Sequence, residues 1–264
     1  MTDGGETARH AKPAARRRRL GRRVVAVAAG LAGLLVTGQA FALIGGTPAD
    51  ETYPFLAAMI RPETGKTPCG GSVIRADWVV TAEHCIAERS PETIQFRIGS
   101  LDRTEGGDLR TVDRIATRPG SDIALMHLSA PVPVAPVPVA RVSPGPGEIT
   151  RLLGWGAVRA DDTSERPVLA RQLDVRVRPD GDCADAPTPI DAPTELCTDN
   201  PDGAGPCHAD SGGPALARVG EGWELAGVTS RSGTSAKGCA AGPGISVDVT
   251  SFADWIDAET GTSR

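Results

Sequence analysis

One device recurs along this chain: a short apolar run, a turn signal, then another run. Phe55-Leu-Ala-Ala-Met-Ile60, Trp78-Val-Val80, Ile94-Gln-Phe-Arg-Ile98, Ile123-Ala-Leu-Met126, Leu152-Leu153, Val168-Leu169, Leu173-Asp-Val-Arg-Val177, Leu225-Ala-Gly-Val228 and Ile245-Ser-Val-Asp-Val249 all read as strands. Several alternate with period two, and their spacing suits a sandwich or barrel rather than βαβ units. The 32 Gly and 22 Pro supply turns without the G-x-y period of collagen. Only Ser251–Glu259 carries a helical pattern, with Phe252, Trp255 and Ile256 at i, i+3, i+4 and Thr250 or Ser251 as N-cap. With four Trp, four Phe and one Tyr in 264 residues, core volume has to come from Val, Leu, Ile and Ala. The expectation is an all-β protein closed by one C-terminal helix.

Charge divides the chain. Residues 1–42 hold eight Lys/Arg against Asp3 and Glu6, while the remainder holds 20 basic and 31 acidic side chains, a net of −11. An acidic body is a poor polyanion binder, so nucleic acid is excluded as a partner. The basic head runs into a thirteen-residue apolar stretch, Val24–Val36, and then Ala40-Phe41-Ala42. These are the n-region, h-region and A-x-A site of a secretory signal, and thirteen residues fall short of the roughly 20 of a bilayer crossing. Residues 1–42 are therefore expected to be removed on secretion. The membrane is met only through the uncleaved segment, and the paired arginines leave twin-arginine export open.

All six cysteines (Cys69, Cys85, Cys183, Cys197, Cys207, Cys239) lie beyond that cut, which in an oxidising compartment reads as three disulfides among fifteen possible pairings. No CxxC pair occurs and the four histidines are scattered, so no metal is expected. Pro131-Val-Pro-Val-Ala-Pro-Val-Pro-Val139 forces extended backbone near the midpoint of the body. It reads as a semi-rigid connector (131–147) between β units at 43–130 and 148–264.

Chemistry is concentrated in three places. Asp210-Ser211-Gly212-Gly213-Pro214 sets a serine in a tight, glycine-rich turn that presents its hydroxyl. Thr81-Ala-Glu-His84-Cys85 supplies an imidazole beside a cysteine, and Ser121-Asp122-Ile-Ala-Leu125 a carboxylate entering an apolar strand. Singly, each has a dull explanation: a core histidine, a turn aspartate, a Gly/Ser turn. Together, in the order His84, Asp122, Ser211, they resemble the chymotrypsin-like (trypsin-like) serine proteases. The resemblance extends through Cys69-Gly-Gly-Ser72, Trp78–Cys85, Leu153-Gly-Trp-Gly156, Cys207–Pro214 and Phe252-Ala-Asp-Trp-Ile256.

That resemblance implies two six-stranded antiparallel barrels with the triad in the cleft between them. It also implies the pairs Cys69–Cys85, Cys183–Cys197 and Cys207–Cys239, the first worth about 3 kcal/mol and pinning His84. Ser211 becomes the nucleophile, His84 the general base and Asp122 its orienter, with no cofactor. Backbone N–H groups of Ala209 and Ser211 would form the oxyanion hole. Ala209 stands where the family has Gly, and on this the alternative rests: a feeble homologue serving as a secreted binding module. Glu83, where a small residue is usual, would raise the imidazole pKa. Leu43-Ile-Gly-Gly46 matches the family's activating N-terminus, so Leu43 would pair with Asp210 directly after the signal cut, with no propeptide.

By the same alignment the substrate pocket takes Gly205, Ser230, Ser232 and Gly244. Gly205 occupies the position of the aspartate that binds basic side chains in trypsins, so large apolar residues are expected at P1. Arg231, in place of a usual tryptophan, keeps an acidic preference open. Protein or peptide substrates and protein protease inhibitors are the expected partners of a monomer.

Overall fold

Alternation decides which way each strand faces: in Gln95–Ile98, Phe96 and Ile98 are fully buried while Gln95 and Arg97 stay half-buried. The computed structural model describes residues 43–261 apart from Glu88, Thr163 and Glu165, so the expected signal segment lies outside the described residues. A two-residue strand, β1 (Thr47–Pro48), comes first. Then β2 (Leu56–Ile60), β3 (Gly70–Arg75), β4 (Trp78–Thr81), β5 (Gln95–Ile98), β6 (Asp108–Thr117) and β7 (Ala124–Leu128) close an antiparallel barrel in the order β2-β3-β4-β7-β6-β5.

The second barrel contains β8 (Ile149–Gly154), β9 (Arg171–Arg178), β10 (Glu195–Thr198), β11 (Pro214–Val219), β12 (Gly222–Ser232) and β13 (Gly244–Asp248). Its antiparallel order is β8-β9-β10-β13-β12-β11, with β11 returning to β8. The expected two six-stranded barrels are thus present. β1, although it precedes the first barrel in sequence, pairs with β9 of the second through Thr47↔Gln172 and Pro48↔Arg171.

Between β7 and β8 the Pro/Val connector threads both barrels. Val137 and Val132 are buried; Val137 N–H donates to Val73 O at 2.9 Å, and Ala140 N–H to Leu225 O at 2.9 Å. One apolar cluster then runs from Leu56 and Phe96 through Val137 to Leu225 and Ile256. A 3-10 turn, Val249–Phe252, leads into helix α1 (Ala253–Glu259). The cap differs from expectation: Asp248, two residues before Thr250, accepts from Thr250 N–H at 2.9 Å and caps the 3-10 turn, while α1 itself starts after Phe252 with no side-chain cap.

Val168-Leu169 is not a strand. Both side chains are exposed, at 42% and 57%, and only an isolated bridge joins Leu169 to Asp102. Two apolar residues without an alternating frame have no inner face to present.

Candidate active site

The chain leaves β4 at Thr81 through extended Ala82 and enters a 3-10 turn, Glu83–Cys85, that carries His84. The Cys69–Cys85 disulfide, Cα–Cα 6.2 Å, fastens that turn to the start of β3. Asp122 stands just ahead of β7, held by the fully buried Ile123. Its Oδ1 accepts from His84 backbone N–H at 2.9 Å, and its Oδ2 lies 2.8 Å from His84 Nδ1. Ser230 Oγ donates to the same Oδ2 at 2.5 Å. Burial pushes the Asp122 carboxyl up, but the hydrogen bonds from the His84 ring, Ser230 and the His84 backbone outweigh it and hold the group below the usual range. His84 is raised: its bond to Asp122 dominates, burial opposes, and the charges of Asp122 and Glu83 add to the rise.

Ser211 sits in a loop pressed against the first barrel. Gly70 N–H donates to Ser211 O at 2.8 Å. Gly212, at φ +78°, has no room for a side chain, since a Cβ would come within 2.2 Å of Thr81 Oγ1. The loop opens with a β-turn in which Asp210 N–H reaches Cys207 O at 3.0 Å. Ala209 is its third residue, at φ +79°, the type II arrangement that ordinarily calls for glycine. The His208 carbonyl is turned to Ala157 N–H at 2.9 Å, so the N–H of Ala209, across the same planar peptide, faces the opposite way. Among the described residues no hydrogen bond joins Ser211 Oγ to His84, and such bonds commonly tighten only around substrate.

Leu43 is fully buried against Leu152, Val175 and Ala215. Ile44 bridges Gly205, whose N–H donates to Ile44 O at 2.9 Å. Two residues beyond Leu152, Gly154 faces the Asp210 carboxylate, where a Cβ would approach Oδ1 to 2.1 Å. Asp210 is itself buried. Burial pushes its carboxyl up to about 7, against the hydrogen bonds it accepts from Cys207 N–H at 2.9 Å and Gly156 N–H at 2.8 Å.

Two cavities flank these groups. One, of about 460 Å3, is lined by Ser211, Pro206, Ser230, Ser232, Gly244 and Asn200 among others. Gly205 is not on its wall: the space a side chain would take there is filled by the carboxamide of Asn200, 2.7 Å from an ideal Cβ. Asn200 Nδ2 donates to Gly242 O. Sequence reasoning missed this residue. The second cavity, about 570 Å3, borders His84, Asp122, Ser230, Arg231 and Glu195. Arg231 is engaged on both nitrogens by Glu195, with Nη2 to Oε2 at 2.8 Å, so its charge does not stand free for an acidic substrate.

The remaining disulfides join Cys183 to Cys197 and Cys207 to Cys239, Cα–Cα 5.9 and 5.0 Å. Cys69, His84 and Cys85 fall within 4.8 Å of one another, but both sulfurs are in the disulfide and offer no thiolate to a metal.

The family profile described as Trypsin matches residues 43–256. Vitellin-degrading protease of Bombyx mori is 31% identical over 211 residues, covering 73% of this chain and 76% of that protein. Brachyurin of Leptuca pugilator is 31% identical over 238 residues, covering 83% of this chain and 99% of its own. Among solved structures, neuropsin, a serine protease expressed in the limbic system of mouse brain, overlays with a TM-score of 0.69 at 24% identity, covering 78% of this chain and 94% of that one, and attests the fold. The chain belongs to the trypsin family of serine proteases, hydrolases of peptide bonds.

Proposed function

We propose that this protease is a secreted endopeptidase working through Ser211, His84 and Asp122. The observation that carries the reading is the Asp122 carboxylate, whose oxygens orient His84, in a cavity that shares Ser230 and Arg231 with the one Ser211 lines. Ser211 Oγ attacks the scissile carbonyl carbon and His84 Nε2 takes the hydroxyl proton. The resulting oxyanion lies against the N–H groups of Ala209 and Ser211. Collapse of that intermediate expels the amine, protonated by His84, and leaves an acyl-enzyme that water hydrolyses by the same steps. Asp122 fixes the imidazole tautomer and balances the imidazolium.

The 460 Å3 cavity serves as the P1 pocket. None of its lining residues is Asp or Glu, so a P1 lysine or arginine would be desolvated without a counter-charge. Large apolar P1 residues are the preferred substrates. Residues on their N-terminal side lie along β12 beyond Val228, where its pairing with β11 ends.

Activation needs only the signal cut. The Leu43 side chain already occupies an apolar seat, and its freed ammonium adds a cation to buried Asp210, which the charge of Arg166 alone leaves raised. Two measurements test this reading: Ser211→Ala abolishes cleavage of a peptide library that the secreted protein cuts, and N-terminal sequencing of active material starts at Leu43. Retained cleavage in Ser211→Ala, or active enzyme beginning elsewhere, refutes the corresponding half.

A further inference from the structure

The cavity beside the triad has an ion pair in its wall. Arg231 follows the register shift between Thr229 and Arg231 in β12, and its guanidinium meets Glu195 of β10 edge to edge, Nη1 to Oε1 and Nη2 to Oε2 at 2.8 Å. Nη2 also reaches Pro189 O at 3.3 Å. The side chains are 27% and 11% exposed, so both charges border the groove without lying in bulk water. Ser230 and Arg231 line this cavity and the P1 pocket alike. A substrate with P1 seated therefore carries the residues before it past the pair.

We propose that Glu195 is a specificity-determining residue: by neutralising Arg231 it removes that charge from a P2–P4 groove otherwise lined by Glu83, Arg118 and Asp191, and each member of the pair masks a charge preference the other would impose. The bidentate carboxylate occupies the Nη1/Nη2 edge of the guanidinium and the remaining donor, Nε, is buried, so no open fork is left for an acidic substrate side chain, and the guanidinium equally covers the carboxylate from a basic one. Selectivity of this kind is set by what the wall repels or leaves unpaired as much as by what it attracts. The inference rests on the P1 assignment above and extends it to the neighbouring subsites.

The test uses processed enzyme and peptides of one fixed apolar P1 with Asp, Asn or Lys at P2, P3 or P4. Wild-type kcat/KM for the three at each position gives the reference ratios, which carry the influence of the other charged wall residues Glu83, Arg118 and Asp191. Glu195→Gln keeps a polar side chain but frees the guanidinium, and at one or more positions the Asp/Asn ratio rises by at least about fivefold over wild type. Arg231→Gln exposes the carboxylate and raises the Lys/Asn ratio by a similar factor over wild type, while the double variant returns to the wild-type ratios. Should one single variant fail to fold, the other carries the test, because the two make opposite predictions. Wild-type ratios in both folded single variants, or a double variant that keeps a single variant's preference, overturn the proposal. Failure of the catalytic reading looks different: none of the four proteins cleaves any peptide or takes up a fluorophosphonate, and the inference falls with it.

Discussion

The proposed oxyanion role makes Ala209 the residue to perturb first. At φ +79° it holds a conformation that costs an L-residue about 1–2 kcal/mol and glycine almost nothing. In the type I alternative the same turn keeps its ends but rotates the His208–Ala209 peptide, taking the Ala209 N–H away from the oxyanion and breaking the His208 O to Ala157 N–H bond. The observed turn is therefore held by that one bond of about 1 kcal/mol and by the loop around it, against a strain of similar size. Ala209→Gly removes about 1 kcal/mol of the bias toward type I, so kcat is expected to rise by about two- to fivefold with KM unchanged. Ala209→Val adds a β-branched side chain at positive φ, tips the turn, and lowers kcat by at least about tenfold toward the 10²–10³ of a lost oxyanion donor. Steady-state hydrolysis of an apolar-P1 chromogenic peptide gives kcat and KM. Inhibition by a peptide aldehyde, which places an oxygen in the hole, should follow kcat and not KM. Wild-type kcat in Ala209→Val, or a fall in Ala209→Gly, would refute the argument.

Three further outcomes are expected. Because Asp122 and, more weakly, Glu83 raise the His84 pKa, the acid limb of kcat/KM lies above the reference imidazole value of about 6.5; Glu83→Gln moves it down, and an unmoved limb shows that Glu83 does not act on the ring. Burial raises Asp210 from 3.8 to about 7 despite the charge of Arg166, so a Ser211→Ala chain extended by two residues before Leu43 loses roughly 4 kcal/mol as pH climbs from 4 through 7. The same chain starting at Leu43 does not, and parallel Tm-versus-pH curves for the two would contradict the ammonium–Asp210 pairing. Asp257, 11% exposed, accepts from Arg75 at 3.0 Å and Arg141 at 2.6 Å and so ties α1 to β3 and the connector; Asp257→Asn should cost about 1–3 kcal/mol in urea denaturation, and a loss below about 0.5 kcal/mol would remove it from the account.

Much of the site was legible because its chemistry is local. His84 sits beside Cys85, Asp122 beside a buried strand, and Ser211 between glycines, so each fragment identifies itself without its partners. Leu43 was singled out as the residue after the Ala40-Phe41-Ala42 motif, and the structure buries its side chain. Asn200 was not: its place follows from contact with Gly205 and a bond to Gly242, 42 positions away, and nothing in Asp199-Asn200-Pro201 foretells either. Glu195 and Arg231 lie 36 positions apart and meet only because β13 spaces β10 from β12. Ser230, expected in the pocket wall, also turns its hydroxyl onto Asp122. Among strands, β6 escaped notice because Asp108–Thr117 has charged residues on both faces, which a long curved strand can present to solvent without losing its ladder. Val168-Leu169 misled for the opposite reason, being apolar with no strand to pair along its length.

Covalent labelling tests the central claim most directly. Protein beginning at Leu43 is treated with a fluorophosphonate at pH 8 and the adduct mapped by peptide mass spectrometry. The account predicts one stoichiometric label on Ser211, no label in Ser211→Ala, and a strong loss of labelling rate in His84→Ala. Folded protein that stays unlabelled at Ser211, or is labelled equally fast without His84, would contradict it.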